Sequence, residues 1–203
     1  MNRLAAVLAA LVIWLPAEAG AQRPVTFGVV VDGPSFYHAT FRPLLQNEIT
    51  NLLGSEFDAR FLEEKYIVAD WTRAGIDDAL QRLLDDPDVD MILTFGAIAS
   101  QSAAEFGPLP KPVVAPFVLD AELQDLPLTG GASGIQNLTY VSYPTATQND
   151  LEAFREVVAF EHLAVLMQRA YVDGIPSMRV GMEQALSQLD VEWTIIEVGP
   201  NID

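Results

Sequence analysis

The chain has 203 residues and a formal net charge of −17, from 28 acidic against 11 basic side chains. So negative a surface repels the phosphates of nucleic acids and of anionic lipids, which argues against both as partners. With no cysteine, thiol catalysis and cysteine-held zinc or iron–sulfur centres are excluded.

Residues 1–21 read as a cleaved secretory leader: Arg3 gives a short positive start, Leu4 to Leu15 is uncharged and apolar, Pro16 breaks it, and Ala19-Gly20-Ala21 suits a signal peptidase. The apolar run is shorter than the ~20 residues that span a bilayer. The mature chain is therefore expected in the periplasm, with no membrane insertion after cleavage. A hydrophobic content of 50% allows a real core, and a mature length of about 180 residues suggests one domain and a piece of another.

Val25 to Val31 is rich in β-branched residues and nearly all apolar, which predicts a strand buried on both faces. Asp32-Gly33-Pro34-Ser35 follows as a loop. Phe41 to Leu53 places Leu44, Leu45, Ile49, Leu52 and Leu53 at helical spacing, closed by Gly54. Alternation over Phe57 to Leu62 predicts a second strand. Thr72 to Leu84 predicts a helix with Thr72 as its N-cap and Ile76, Leu80, Leu83 and Leu84 inward. Met91 to Phe95 reads as the third strand, entering Gly96 and a small-residue helix over Ala97 to Glu105. Pro112 to Leu119 reads as the fourth, ending at Asp120. After a loop over Pro127 to Gly134, Ser133 to Leu138 reads as a short fifth strand. A second unit opens near Tyr143-Pro144: a helix over Asn149 to Phe160, a strand over His162 to Gln168, a helix over Ile175 to Leu189 and a strand over Trp193 to Val198.

The repeated strand–helix order predicts an α/β fold with a parallel, doubly wound sheet over residues 22–142. Residues 143–203 read as the start of a second α/β lobe; two strands and two helices cannot cover both faces of a sheet, so either this lobe is truncated or its elements pack in a way the pattern does not foretell. Right-handed crossovers would put Asp32, Gly96 and Asp120 on one rim, where open α/β sheets hold ligands.

The segment Val89-Asp90-Met91-Ile92-Leu93-Thr94-Phe95-Gly96-Ala97-Ile98-Ala99-Ser100-Gln101-Ser102-Ala103-Ala104, with Lys111 to Asp120, Ser133 to Leu138 and Asp150 to Leu166, resembles the substrate-binding proteins of ABC transporters. The resemblance is to the periplasmic type I class, in the branch that includes aromatic amino-acid binders, and covers about Val25 to Val198. It implies a cleft between two lobes, a small-molecule ligand and a membrane permease as partner. Two positions depart from the family pattern: Ala97 stands where a hydroxyl residue is usual, and Gln168-Arg169 where an Asn-Pro pair is common.

Within such a cleft, Ser35 offers a hydroxyl, and Phe36 and Tyr37 offer rings. The backbone N–H groups of Ala97 and Ile98, beside Gly96, open a helix and would receive a carboxylate. Asp120 would meet an ammonium group, Tyr143 lies by the hinge, and Gln168 ends the first strand of the second lobe. Together these suit a zwitterion such as an amino acid. The competing reading makes Gly33, Pro34 and Ser35 a plain turn and Asp120 the cap of a helix over Ala121 to Leu126.

No catalytic residue is assigned. Asp32, Ser35 and His38 share a loop, but no Gly-x-Ser-x-Gly elbow fixes a nucleophile; His162 reads as structural. The run Asp85-Asp86-Pro87-Asp88-Val89-Asp90 lacks the glycine and closing glutamate of a calcium loop and reads as a solvated turn. Phosphate-binding glycine loops are missing from the sequence, which leaves nucleotide use unsupported; no cofactor and no metal are expected. Asn137-Leu138-Thr139 fits a glycosylation sequon that the leader makes irrelevant. The first expectation is a periplasmic solute-binding protein of an ABC-type uptake system. The alternative is a non-catalytic envelope adaptor with a receptor-like fold, beside an efflux or outer-membrane channel.

Overall fold

The computed structural model describes residues 22–142 and 146–199. The leader, the whole of Tyr143 and the side chains of Phe36, Tyr37 and His38 lie outside the described residues.

Strand β1 (Arg23–Val31) is the axis of the main sheet. Its C-terminal half lies beside β4 (Met91–Phe95), Phe27 opposite Met91 and Val31 opposite Phe95. Its other edge is shared by β2 (Phe57–Arg60) and then β3 (Tyr66–Val68). Beyond β4 come β5 (Val113–Ala115) and β6 (Leu138–Tyr140), giving the order β2-β1-β4-β5-β6 with every pair parallel. The parallel α/β sheet read from the sequence is therefore the observed one.

Period-2 alternation splits β1 between two cores. Phe27, Val29 and Val31, with Leu93 and Phe95 of β4, face Leu45, Ile49 and Leu53 of helix α1 (Phe36–Leu53). Val30 and Ile92 face the opposite layer, built by α2 (Arg73–Asp85) and α3 (Ala97–Glu105). Gly28 is bare because a Cβ there would stand 2.9 Å from Leu83 Cδ1. Helix α2 begins as expected: Thr72 Oγ1 accepts from the Gly75 N–H at 3.0 Å, and Ile76, Leu80, Leu83 and Leu84 are buried. In α1 the inward-facing, half-buried stripe runs at i, i+4, i+8 through residues 45, 49 and 53, so Leu44 and Leu52 point to solvent instead of inward.

Several boundaries differ from expectation for identifiable reasons. The second strand stops at Arg60, a 3-10 turn at Glu63–Lys65 redirects the chain, and the unforeseen β3 returns to β1. Strand β5 is confined to Val113–Ala115 because Pro112 and Pro116 cannot donate to a ladder. The fifth strand starts only at Leu138, since Gly134 (φ 70°) and Asn137 (φ 62°) are left-handed and interrupt extension. Residues 121–125 form successive turns in place of a helix.

Helix α4 (Ala146–Val157) leads to a separate two-stranded parallel sheet of β7 (His162–Gln168) and β8 (Glu192–Val198), with His162 opposite Glu192. The helix expected from Ile175 is two helices, α5 (Arg169–Gly174) and α6 (Pro176–Ser187). Pro176 has no N–H to continue a helix but suits the first position of a new one. Gly174 lets α5 press on α3, since a Cβ there would lie 2.7 Å from Ile98 Cγ2. One face of this sheet is left open: Leu166 is 62% and Ile196 45% exposed.

Candidate functional site: an aromatic crevice at the strand switch

From β1 the chain passes first to one edge of the sheet (β2, β3) and then crosses to the other (β4). Crossovers on opposite faces diverge between the C-terminal ends of β1 and β4, where α/β sheets open a crevice. A cavity of about 280 Å³ lies there, lined by residues at or after the ends of β1, β3, β4 and β5, by Phe41 of α1 and by Tyr171 of α5.

Asp32 forms its floor. The residue is 2% exposed, and its carboxylate accepts from the N–H groups of Ile98 (3.1 Å) and Ala99 (2.8 Å) at the start of α3. Burial pushes the Asp32 carboxyl above its ordinary value, opposed by N–H donation from Ala99, Ile98 and Ala97. Gly96 makes the arrangement possible: a Cβ there would sit 2.2 Å from Asp32 Cγ. This corrects the role expected of Ala97 and Ile98. The helix N-terminus is an anion site, but the protein's own Asp32 fills it, so it is not open to a ligand carboxylate. Gly96 and Ala97 line the cavity, as does Ser35.

Trp71 forms one wall. It follows β3 and has φ 67°, a left-handed conformation unusual for a bulky side chain. Its N–H donates to the Asp32 carbonyl at 2.7 Å, while the Ala69 N–H donates to Val31 at 2.9 Å. The indole lies directly on Gly33, where a Cβ would be 2.3 Å from Cδ1 and 2.4 Å from Nε1. Tyr171 meets Trp71 edge-on, at 6.3 Å and 87°. Burial, and then the negative charge of Asp32, raises the Tyr171 phenol above its ordinary value. On the opposite side Phe95 and Phe117 meet edge to face at 4.5 Å and 73°, with Phe41 and Leu119 at the rim.

Asp120 plays the capping part. Oδ1 accepts from the N–H groups of Glu122 (3.0 Å) and Leu123 (3.2 Å), and Oδ2 from Thr147 (3.0 Å). Burial alone would raise this carboxyl, but the combined donation from Thr147, Leu123 and Glu122 holds it below the ordinary range. It lines a different cavity, shared with α6, so the expected ammonium contact in the crevice is corrected: Leu119 reaches the crevice and Asp120 does not. Gln168 stands at the N-cap of α5 outside the crevice lining, and Tyr171 three residues later reaches it instead. The acidic run closes α2 at Asp85 and then turns, with two of its carboxylates engaged there: Asp86 pairs with Lys65 and accepts from the Asp88 N–H, and Asp90 accepts from the Thr26 N–H. His162 pairs with Glu192 at 3.0 Å on the surface.

Sequence reasoning missed Trp71, Tyr171, Phe95 and Phe117 as wall residues. Trp71 had a usable signal, an aromatic residue between an apolar run and the N-cap Thr72. Its place on the rim depends on β3, whose three residues are too few to show a period.

No protein-family model matches the chain, and no curated protein sequence matches it. Solved structures do. The ABC domain of Streptococcus pneumonia in complex with L-Trp superposes with a TM-score of 0.62 at 14% identity, covering 86% of this chain and 57% of that one. A leucine-binding protein of Thermotoga maritima gives 0.61 at 13% identity, covering 88% and 50%. A solute-binding protein of an ABC transporter from Rhodopseudomonas palustris, in complex with 3,4-dihydroxy benzoic acid, gives 0.55 at 11%, covering 87% and 47%. The fold is that of the type I-like periplasmic solute-binding proteins of ABC transporters. The chain spans between 47% and 57% of the length of the three structures described.

Proposed function

We propose that this chain is the ligand-binding part of a periplasmic solute receptor of an ABC-type uptake system. It would be exported by residues 1–21 and bind without chemistry. The observation that carries this reading is the crevice itself. It lies at the switch point of a parallel sheet, and its walls come from segments far apart in the chain, Trp71 beside the main sheet and Tyr171 from α5. A small relative movement of the two would open or close the space, as hinge receptors require. A cavity of about 280 Å³ suits a small metabolite. Its rings favour a ligand with an apolar or aromatic body, and two structures of this fold hold such ligands, L-Trp and 3,4-dihydroxy benzoic acid. Residues 22–142 and 143–203 would then be one lobe and the beginning of the next, with a membrane permease reading the closed form.

A thermal-shift screen across amino acids, aromatic acids, amines, sugars and short peptides tests the proposal. A true ligand at a hundredfold excess over its Kd stabilises by about 2.7 kcal/mol through mass action. Absence of a shift from every class would overturn the receptor reading.

A further inference from the structure

Resting on the receptor reading, we infer that the crevice takes a compact organic cation, an alkyl- or quaternary ammonium group set among the rings of Trp71, Tyr171 and Phe117 with Asp32 as its counter-charge. Three observations converge on it. First, among the described residues lining the cavity Asp32 is the one charged group, with no lysine or arginine to receive an anion. Second, the backbone donors of α3 that would hold a ligand carboxylate are already taken by Asp32 at 3.1 and 2.8 Å, so an incoming carboxylate meets a carboxylate. Third, two ring pairs stand at steep angles around the same space, Trp71 with Tyr171 at 87° and Phe95 with Phe117 at 73°. Rings at steep angles present both faces and edges to one volume, and ring faces attract a cation. Trp71 is kept there in a left-handed backbone conformation and on a bare glycine, a costly placement that core packing alone does not call for. Asp32 is buried at the cavity floor, where burial works against its charged form despite the N–H donors of α3, so a nearby cation would stabilise the carboxylate. The chain's net charge of −17 draws cations toward it.

The test is calorimetric titration of the full chain with choline and with 3,3-dimethyl-1-butanol, its uncharged isostere, followed by 2-phenylethylammonium and L-tryptophan. The expected result is saturable binding of one or both cations, with the alcohol weaker by about tenfold or more. Trp71→Leu and Tyr171→Leu should each remove most of the cation binding, Tyr171→Phe should retain it, and Asp32→Asn should narrow the choline-to-alcohol ratio. Should Asp32→Asn fail to fold, the two ring variants decide. Equal binding of choline and the alcohol, or undiminished choline binding by Trp71→Leu, would overturn the cation assignment and leave the receptor reading standing. So would binding of L-tryptophan with neither cation. Failure of every compound here and in the wider screen would overturn both.

Discussion

The left-handed Trp71 gives a sharp test of how the crevice is held. At φ 67° any residue with a Cβ is strained, so glycine should be the better small replacement. The left-handed conformation costs a non-glycine residue about 1–2 kcal/mol. Glycine's greater freedom in the unfolded chain returns about 0.5–1 kcal/mol of that. Trp71→Gly should therefore be more stable than Trp71→Ala by about 0.5–1 kcal/mol, the reverse of the usual order. Both variants lose the half-buried indole from its seat on Gly33 and its edge contact with Tyr171. That loss should cost each about 2 kcal/mol, near half the price of truncating a fully buried Trp. Urea unfolding of the three proteins measures it. With a slope of about 1–3 kcal/mol per molar, the two variants should differ in midpoint by a few tenths molar. An Ala variant equal to or more stable than the Gly variant would show that the backbone at Trp71 is not strained, and the inference of a deliberately placed ring would lose its footing.

Three further predictions use the same unfolding assay. Gly96→Ala drives a methyl to within 2.2–2.4 Å of the Asp32 carboxylate and must displace it from the start of α3; a loss of about 2–4 kcal/mol is expected, from overpacking and from N–H groups left without an acceptor, and a loss under 1 kcal/mol would contradict that packing. Asp120→Asn replaces one accepting oxygen with a donor facing N–H groups and should cost about 1.5–3 kcal/mol at neutral pH. Because the Asp120 carboxyl is depressed, its contribution is present above the ordinary value of 3.8 and is lost as pH falls through the lower folded value, so the wild-type and variant curves should converge in acid; curves that stay parallel there would refute the assignment. Leu166→Thr, on the open face of β7 and β8, should change stability by no more than about 0.5 kcal/mol; a loss above about 1.5 kcal/mol would mean that this face is covered in solution.

The order of residues alone specified the parallel α/β sheet, because strands buried on both faces need a nearly continuous apolar run, as in Val29 to Val31 and in Met91 to Phe95 with its single Thr94, and such runs are visible in one dimension. It also determined the start of α2, since Thr72 caps through atoms three residues away. The chemistry of the crevice arose with folding. Asp32 and the Ile98 N–H are 66 residues apart in the chain, and Trp71 and Tyr171 meet only because α5 docks on α3 through Gly174. Whether a helix N-terminus greets a ligand or is already satisfied depends on which distant side chain folds over it. Composition, period and spacing describe neighbours along the chain, and they carry no account of that.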